Sequence, residues 1–416
     1  MGEGVALRVP GVPLRGSLFC IRQGGADEEE ELKITEIKTH YLQAKLDQPF
    51  GWSLDWAEHR SALLVQIDTD EGITGWGEAG APGRGPIAAI ISQILKPLIV
   101  GQDPLDREIL WEKMYAKTRD YGQKGLPVEA ISGIDIALWD LMGKALKLPV
   151  HKLLGGQMRG RVMAYATGLY YKKTPHLTQE LVQEALGYLK AGFPAIKMKI
   201  GGLSPAEDLE NVRAVREAIG PRVLLMVDAN HAYNAVTAIQ VGRELEKYQV
   251  FWFEEPVIPE DLQGYLEVKE ALDIPIAGGE CEYTRFGFRE LISRRAVDIL
   301  QPDTCKAGGL SEAKKIAALA SAWGIPYFPH VWGTPIAIAA ALHLLAVLPE
   351  TPSCRNTLPF GQVPALEFDR TPHPIREELA VESILPEGGW VKVPTAPGLG
   401  VEVREEILSK YRVVLD

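Results

Sequence analysis

Cysteine is scarce in this sequence and follows no disulfide or metal-binding pattern. Only four cysteines occur among 416 residues, and no two of them form a CxxC pair. They are Cys20, Cys281, Cys305 and Cys354. In a chain of this length, such scattered cysteines argue against a disulfide framework or a zinc knuckle. We therefore expect reduced thiols in a cytoplasmic protein, with Cys281 and Cys305 as packing residues.

Long apolar runs are also missing. The longest, residues 336–348, contains His343 and is too short to cross a bilayer, so it predicts a buried helix. At the N-terminus, Pro10, Pro13 and Arg15 interrupt what would be the apolar core of a signal peptide. A membrane partner is not expected.

Positive charge is not in excess, because the formal net charge is -11 at pH 7. Non-specific nucleic-acid binding needs a basic face, so no nucleic-acid partner is expected. The net charge says little about small anionic substrates, since one site can be positive inside an acidic protein.

The first part of the chain divides into an arm and an α+β domain. Residues 1–32 contain proline, glycine and the acidic run 27–31, which is typical of a weakly ordered, solvated arm. Alternating apolar residues over 34–42, 62–67 and 73–77 then predict three antiparallel strands.

Helical periodicity follows these strands. It predicts helices over 86–96, which Pro97 ends, over 107–117, and from residue 129 onward. Together the strands and helices predict a capping domain over residues 33–160.

The connection over residues 47–60 reads as a long loop rich in aromatic residues, among them Phe50, Trp52 and Trp56. Long loops inside compact domains are usually functional. We expect a substrate lid here, with Trp52 as a substrate-binding residue.

From residue 161 the pattern alternates between strand and helix. Eight short apolar segments, spaced by roughly 25 to 35 residues, predict a parallel (β/α)8 barrel over residues 161–370. The predicted strands are 162–167, 195–200, 223–227, 250–253, 274–277, 297–300, 327–328 and 365–368. A doubly wound open sheet is the alternative, which we disfavour because no GxGxxG follows the first strand. Residues 371–416 return to short strands and turns, and we expect them to pack back on the capping domain.

Two lysines stand in the second predicted barrel strand. Lys197 and Lys199 are two residues apart, so they share one face of the strand. Two adjacent ammonium groups lower each other's affinity for a proton, which predicts a basic amine at Lys199. The alternative is an edge strand with solvated lysines.

Three carboxylates stand at the ends of the next three predicted strands. Asp228, Glu254 and Glu280 are separated by two equal steps in the sequence, and the strand ends of a barrel face one site. Converging carboxylates repel one another unless a cation lies between them, and hard oxygen ligands suit Mg²⁺. The pattern predicts a magnesium site.

The remaining strand ends supply further candidates. Asp303 and His330 end adjacent strands, where the carboxylate can orient the imidazole for proton transfer. Glu367 ends the eighth strand and is a candidate acid or hydrogen-bond partner. Asn230 and His231, just past the third strand, are candidate substrate-binding residues.

These residues predict removal of a proton next to a carboxylate. A metal stabilises the charge that forms on the substrate, while Lys199 and His330 act as base and acid from opposite sides. Lys197 would depress the pKa of Lys199 and neutralise the substrate carboxylate.

At this point the residues resemble the enolase superfamily over about residues 33–416, and the Lys197/Lys199 and Asp303/His330 pairs resemble its mandelate racemase subgroup. Several stretches are similar to the cycloisomerases of that subgroup that act on sugar-acid lactones and anhydro sugar acids. These stretches are 132–140, 228–231, 253–257, 298–303, 329–334 and 366–370. The resemblance implies a modified TIM barrel of the (β/α)7β type with an N-terminal α+β capping domain, Mg²⁺ on the three carboxylates, and a homo-oligomer. It also implies expulsion of a β ring oxygen, which opens the ring to a 3-deoxy-2-keto acid.

Other functions remain open for the same residues. An acid-sugar dehydratase would expel a hydroxyl, and a racemase or epimerase would only exchange a proton between Lys199 and His330. A non-enzymatic binding barrel is a further alternative, although none of the strand ends lacks its candidate residue. Residues 281–285 and the lid depart from any pattern that assigns one substrate.

Overall fold

The computed structural model describes residues 32–80 and 84–414, with no account of the Arg84 side chain. The arm predicted over residues 1–32, including the acidic run 27–31, lies outside the described residues except for Leu32. The chain from Leu32 onward forms one compact unit. Within the described part, no helix combines the length and apolar character needed to cross a membrane.

An antiparallel sheet opens the described chain. Its strands are β1 (Ile34–Gly51), β2 (Trp56–Thr69), β3 (Thr74–Ala79) and, from later in the chain, β5 (Tyr171–Lys172). They lie in the order β3-β2-β1-β5.

The expected long loop over residues 47–60 is wrong. β1 and β2 continue through most of it, and only four residues, 52–55, connect them. Phe50 pairs with Ala57 across the hairpin, after an irregularity that follows Lys45. Both Phe50 and Ala57 are buried, so the apolar alternation that defines the strands extends to the hairpin tip.

The helices of this part lie beside the sheet. They are α1 (Arg84–Ile90), a π-helical turn (Ile91–Leu95), α2 (Lys96–Ile99), α3 (Arg107–Thr118), α4 (Leu126–Ala145) and α5 (Val150–Leu153). The prediction that Pro97 ends the first helix is wrong, because the chain stays helical to Ile99. The π-helical turn explains this. The Lys96 N–H donates to the Ile91 carbonyl, five residues back, and this wider turn accommodates a residue without an N–H. At Gly77, a Cβ atom would lie 2.0 Å from the Gly133 carbonyl oxygen, so only glycine lets β3 approach α4.

Parallel strands then alternate with helices. The strands are β4 (Arg161–Thr167), β6 (Ala195–Lys199), β7 (Leu224–Asp228), β8 (Val250–Glu254), β9 (Ile276–Gly278), β10 (Ile299–Leu300) and β11 (Leu366–Asp369). The helices between them are α6 (Leu177–Lys190), α7 (Pro205–Ile219), α8 (Ala235–Lys247), α9 (Leu262–Ala271), α10 (Thr284–Ser293), α11 (Gly309–Ala322) and α12 (Pro335–Val347). The strand order is β10-β9-β8-β7-β6-β4-β11, with each strand parallel to its neighbour.

This sequential order confirms the barrel and excludes the doubly wound alternative, whose strand order would reverse. The seventh predicted strand is reduced to one isolated parallel bridge between Leu300 and Tyr327. Two hydrogen bonds hold that segment in place, from the Leu300 N–H to the Pro326 carbonyl and from the Phe328 N–H to the Leu300 carbonyl. The helix predicted over 336–348 is observed as the buried α12.

The last segment contains α13 (Pro374–Glu378), β12 (Trp390–Lys392) and α14 (Glu405–Tyr411). β12 pairs antiparallel with β4 of the barrel. Further along, the Val413 N–H donates to the Tyr41 carbonyl of β1. This segment therefore contacts both the sheet and the barrel.

Candidate active site

The two lysines of β6 are buried, and both form ion pairs with carboxylates. β6 lies between β4 and β7, so the alternative of an edge strand with solvated lysines is wrong. Lys197 Nζ lies 2.5 Å from Glu254 Oε1 and 2.9 Å from Glu367 Oε1. Lys199 Nζ lies 2.5 Å from Asp228 Oδ2. Both Nζ atoms lie near Asp228 Oδ2, as expected for side chains on the same face of the strand.

The protonation of Lys199 differs from the expectation. Burial, the largest cause, lowers the pKa of Lys199, and Lys197 lowers it further. Asp228, Tyr170 and Glu280 together raise it by more, so the net pKa is raised. The prediction of a depressed pKa is therefore wrong for this arrangement. Adjacency to Lys197 is outweighed because each ammonium has its own carboxylate in contact.

The carboxylates of Asp228, Glu254 and Glu280, which we call the carboxylate site, converge as predicted. One oxygen from each lies within 4.8 Å of the others. The backbone brings them together, since Asp228 of β7 is the register partner of both Lys199 on β6 and Glu254 on β8. Gln301 Nε2 donates to Glu254 Oε2 over 2.7 Å and orients that carboxylate.

The electrostatics of the carboxylate site fit a bound cation. Burial raises the pKa of Glu254 to about 8, although Lys197 opposes the shift. Burial also raises the pKa of Asp228, but Lys199 and Lys197 lower it to about 2 overall. In the part of the chain that the structure describes, Glu280 Oε2 is buried and has no hydrogen-bond partner. A buried oxygen without a partner is costly, and a divalent cation would satisfy it.

His330 and Asp303 form the predicted pair. The ring nitrogen Nδ1 of His330 lies 2.7 Å from Asp303 Oδ2, and Nε2 lies 3.5 Å from Glu280 Oε2. Burial lowers the pKa of His330, whereas Glu280 and the hydrogen bond to Asp303 raise it, to about 9 overall. Asp303 is itself held by the Cys305 N–H. The imidazole is therefore fixed in orientation, with Nε2 on the side away from Asp303.

Glu367 has a full set of partners. Its Oε1 accepts from Thr167 Oγ1 over 2.6 Å, and its Oε2 accepts from the Val331 N–H over 3.0 Å. Burial raises the pKa of Glu367, but Lys197 and His330 lower it, so the net pKa is lowered. This pattern fits an ionised hydrogen-bond partner better than an acid.

One cavity of about 230 Å³ collects the candidate proton-transfer residues. It is lined by Trp52, Leu54, Tyr170, Lys199, Asn230, Glu280, Lys306, His330, Trp332 and Glu367. Asn230 Oδ1 accepts from Lys199 Nζ over 2.8 Å, so it positions the amine as well as lining the cavity. Trp52 and Leu54 reach the cavity from the β1–β2 hairpin tip, so the lid contributes residues although it is short.

The sequence reasoning did not assign a role to three cavity residues, Tyr170, Lys306 and Trp332. Lys306 follows Asp303 by three residues, and this closeness to a predicted site residue is the signal for it. Trp332 carries a similar signal, because it follows His330 by two residues, whereas Tyr170 lies in a loop with no predicted site residue beside it.

His231 lies beside Glu255 and Cys281. Its Nε2 lies 3.6 Å from Glu255 Oε2 and 3.8 Å from the Cys281 sulfur. Its role in substrate binding stays a prediction, and Cys281, expected to be a packing residue, lies beside this imidazole.

A barrel of this strand order, with a capping sheet, a lysine pair and convergent carboxylates, defines an enolase-type enzyme. The chain belongs to this superfamily. Residues 34–155 match the mandelate racemase / muconate lactonizing enzyme N-terminal domain, and residues 180–407 match the enolase C-terminal domain-like family.

Individual relatives show which members of the superfamily the chain is similar to. The chain is 43% identical to a D-galactarolactone cycloisomerase of Agrobacterium fabrum (strain C58 / ATCC 33970), over 92% of this chain and 99% of the relative. It is 39% identical to an arabinonate dehydratase of Saccharolobus solfataricus, over 86% of this chain and 92% of the relative. The crystal structure of the 3,6-anhydro-D-galactonate cycloisomerase from Zobellia galactanivorans superposes with a TM-score of 0.82 at 43% identity, covering 92% of this chain and 100% of that one.

Proposed function

We propose that this protein opens the ring of a sugar-acid lactone or anhydro sugar acid by removing the proton α to the carboxylate and expelling the β ring oxygen. The observation that carries the proposal is the cavity that Lys199 and His330 share beside the carboxylate site. The identity of 43% to two different cycloisomerases supports ring opening over other reactions of the superfamily.

The carboxylate site would hold Mg²⁺, because its three hard oxygen donors match the preferences of this cation and, among the described residues, Glu280 Oε2 has no hydrogen-bond partner. When bound, Mg²⁺ supplies the positive charge that makes the α-proton more acidic. Lys197 contributes by contacting Glu254 and Glu367, and its positive charge lowers the pKa of both carboxyl groups.

Lys199 and His330 would carry the proton transfers. Asn230 holds the Lys199 amine at the cavity wall, and Asp303 accepts from His330 Nδ1, so Nε2 is the atom that exchanges a proton. One of the two residues, after it has lost its own proton, takes the α-proton as the C–H bond breaks. The other donates a proton to the ring oxygen as the C–O bond breaks, and the resulting enol tautomerises to the 2-keto acid.

A dehydratase is the second candidate, supported by the 39% identity to an arabinonate dehydratase. It uses the same residues and differs only in expelling a hydroxyl. A racemase or epimerase is the third, since Lys199 and His330 line the same cavity and are able to exchange one proton between two faces.

The test is incubation with Mg²⁺ in D2O, with aldarolactones, 3,6-anhydro-galactonates and open-chain aldonates and aldarates as substrates, followed by NMR. We expect a deuterated 3-deoxy-2-keto acid from the cyclic substrates only. The same product from the open acids alone would establish the dehydratase, and deuterium exchange without elimination would establish the racemase.

Lys199→Met and His330→Gln are the decisive variants, and Lys247→Met, at an exposed helical position, is the matched control. We expect both cavity variants to lose turnover while the control keeps it. Wild-type turnover by either cavity variant would refute the assignment of that residue.

Three further assignments are proposals. The limits of the capping domain (33–160), the barrel (161–370) and the C-terminal segment (371–416) rest on the sequence pattern. A homo-oligomer rests on the family, and a cytoplasmic location rests on cysteine usage.

A further inference from the structure

A second group of metal-ligating side chains lies beside the carboxylate site. It consists of His231, Glu255 and Cys281, which we call the thiol site. One ligand atom of each lies within 4.8 Å of the others. We propose that the thiol site binds a borderline divalent cation such as Zn²⁺.

The spacing of the ligand atoms matches tetrahedral coordination. With Zn–S of about 2.3 Å and Zn–N and Zn–O of about 2.0–2.2 Å, a tetrahedral site has ligand–ligand edges of about 3.4–3.6 Å. The observed edges are 3.6 Å from His231 Nε2 to Glu255 Oε2 and 3.8 Å from His231 Nε2 to the Cys281 sulfur. These two edges lie within a few tenths of an ångström of the tetrahedral values, and the third, between Glu255 and Cys281, is at most 4.8 Å.

Glu255 supplies an independent reason for a ligand. Its side chain is only 1% exposed, and among the described residues Oε2 has no hydrogen-bond partner. A buried carboxylate oxygen without a donor is costly, and a cation at the thiol site would provide the missing contact. Lys306 is the ammonium nearby, but Glu280 and Asp228 add negative charge to the same surroundings.

The backbone holds the ligands at this spacing. The His231 N–H donates to the Glu255 carbonyl over 2.8 Å, which ties the turn after β7 to the turn after β8. Cys281 follows Glu280 in the turn after β9. Each member of the thiol site thus comes from the end of a rigid strand, as metal ligands in a barrel do.

The donor atoms of the two sites prefer different metals. Mg²⁺ prefers oxygen ligands and does not favour a thiolate, whereas Zn²⁺ and Co²⁺ accept imidazole, thiolate and carboxylate together. The carboxylate site and the thiol site therefore select different cations, and saturating Mg²⁺ leaves the thiol site open to Co²⁺.

Cobalt titration of the full-length protein tests the proposal without substrate. In oxygen-free buffer with excess Mg²⁺, we expect Co²⁺ to produce a thiolate-to-cobalt charge-transfer absorption that added Zn²⁺ abolishes. The Cys281→Ser variant should lack this absorption, and Cys354→Ser, at an exposed position, should keep it.

Glu255→Gln provides a second variant that preserves side-chain shape. We expect it to weaken Co²⁺ binding at least tenfold, with circular dichroism as the check on folding. Absence of the absorption in the wild type, its persistence in Cys281→Ser, or unchanged affinity in folded Glu255→Gln would each overturn the thiol site. Because no turnover is measured, these outcomes are independent of the proposed function.

Discussion

The stacked histidines His151 and His343 make a prediction about stability in acid. Their ring centroids are 5.2 Å apart and both side chains are buried. His343 Nε2 lies 3.1 Å from the Leu399 carbonyl oxygen, which only accepts, so Nε2 carries the hydrogen. Nδ1 of His343 is then an acceptor, and it faces the His151 N–H at 3.2 Å and His151 Nδ1 at 3.1 Å. Protonation of His343 would add a hydrogen to Nδ1, which could then no longer accept from the His151 N–H or from His151 Nδ1.

The magnitude follows from the pKa. Burial, the largest cause, lowers the pKa of His343 from 6.5 to about 4. A folded-state pKa below the unfolded value gives stability that is present above about pH 6.5 and is lost as the pH falls toward 4. Between about pH 7.5 and about pH 5 the loss amounts to about 2 kcal/mol.

Urea unfolding, followed by tryptophan fluorescence at these two pH values, measures the effect in the wild type and in His343→Gln. We expect the variant to be less stable near neutrality but to lose about 2 kcal/mol less on acidification. His59→Gln, at an exposed position of β2, is the control and should show the wild-type loss. The comparison with the wild type is needed because burial raises the pKa of Asp135 to about 7, and protonation of Asp135 shifts stability the other way in the same range. Equal losses in the wild type and in His343→Gln would refute the reasoning.

Three other predictions concern the cavity residue Lys306, the buried Arg60–Asp369 ion pair and the proposed Mg²⁺. Lys306 lines the cavity without an ion pair to any described residue, so Lys306→Gln should raise KM by about 10–100-fold with little change in kcat, whereas an unchanged KM would contradict substrate binding. Arg60 Nη2 contacts Asp369 Oδ2 at 2.7 Å in a buried pair, so Arg60→Met should lower the free energy of unfolding by about 3 kcal/mol in urea titrations, the remaining Arg376–Asp369 contact limiting the loss. A chelator should abolish turnover and Mg²⁺ should restore it in steady-state assays, while full activity in the chelator would exclude the proposed metal site.

The residues at the strand ends were predictable from strand periodicity and from the geometry of a barrel. Strand periodicity located β6, β7 and β8 to within a residue or two, and the strand ends of a barrel face one site. Asp228, Glu254 and Glu280 could therefore be grouped before any distance was known.

The errors have a common physical origin, since each depends on specific contacts that the sequence pattern does not show. The hairpin tip around Phe50 pairs with Ala57 across the hairpin and also with β5, more than a hundred residues away. The helix passes Pro97 through a π turn that composition does not reveal. The raised pKa of Lys199 depends on its contact with Asp228, which adjacency to Lys197 cannot predict.

The sequence also contains the pattern that brings the thiol site together. Glu255 and Cys281 each follow a carboxylate-site residue by one position, and His231 follows Asp228 by three. Neighbouring strand ends therefore bring these residues together by the same geometry that groups the carboxylates. A cysteine that looks isolated in the sequence is thereby placed beside an imidazole.

The charges around β6 explain why a barrel tolerates two buried lysines and still requires a cation. The carboxylate site and Glu367 contribute four carboxylates, and Lys197 and Lys199 contribute two ammonium groups. The His330–Asp303 pair is left aside, because its charges cancel when the imidazole is protonated. The difference of four minus two leaves two negative charges, which one divalent cation balances. Without it, a buried carboxyl group takes up a proton more readily, which is the direction in which the pKa of Glu254 is shifted, to about 8. The lysines are therefore part of the charge balance of the metal site as well as candidates for proton transfer.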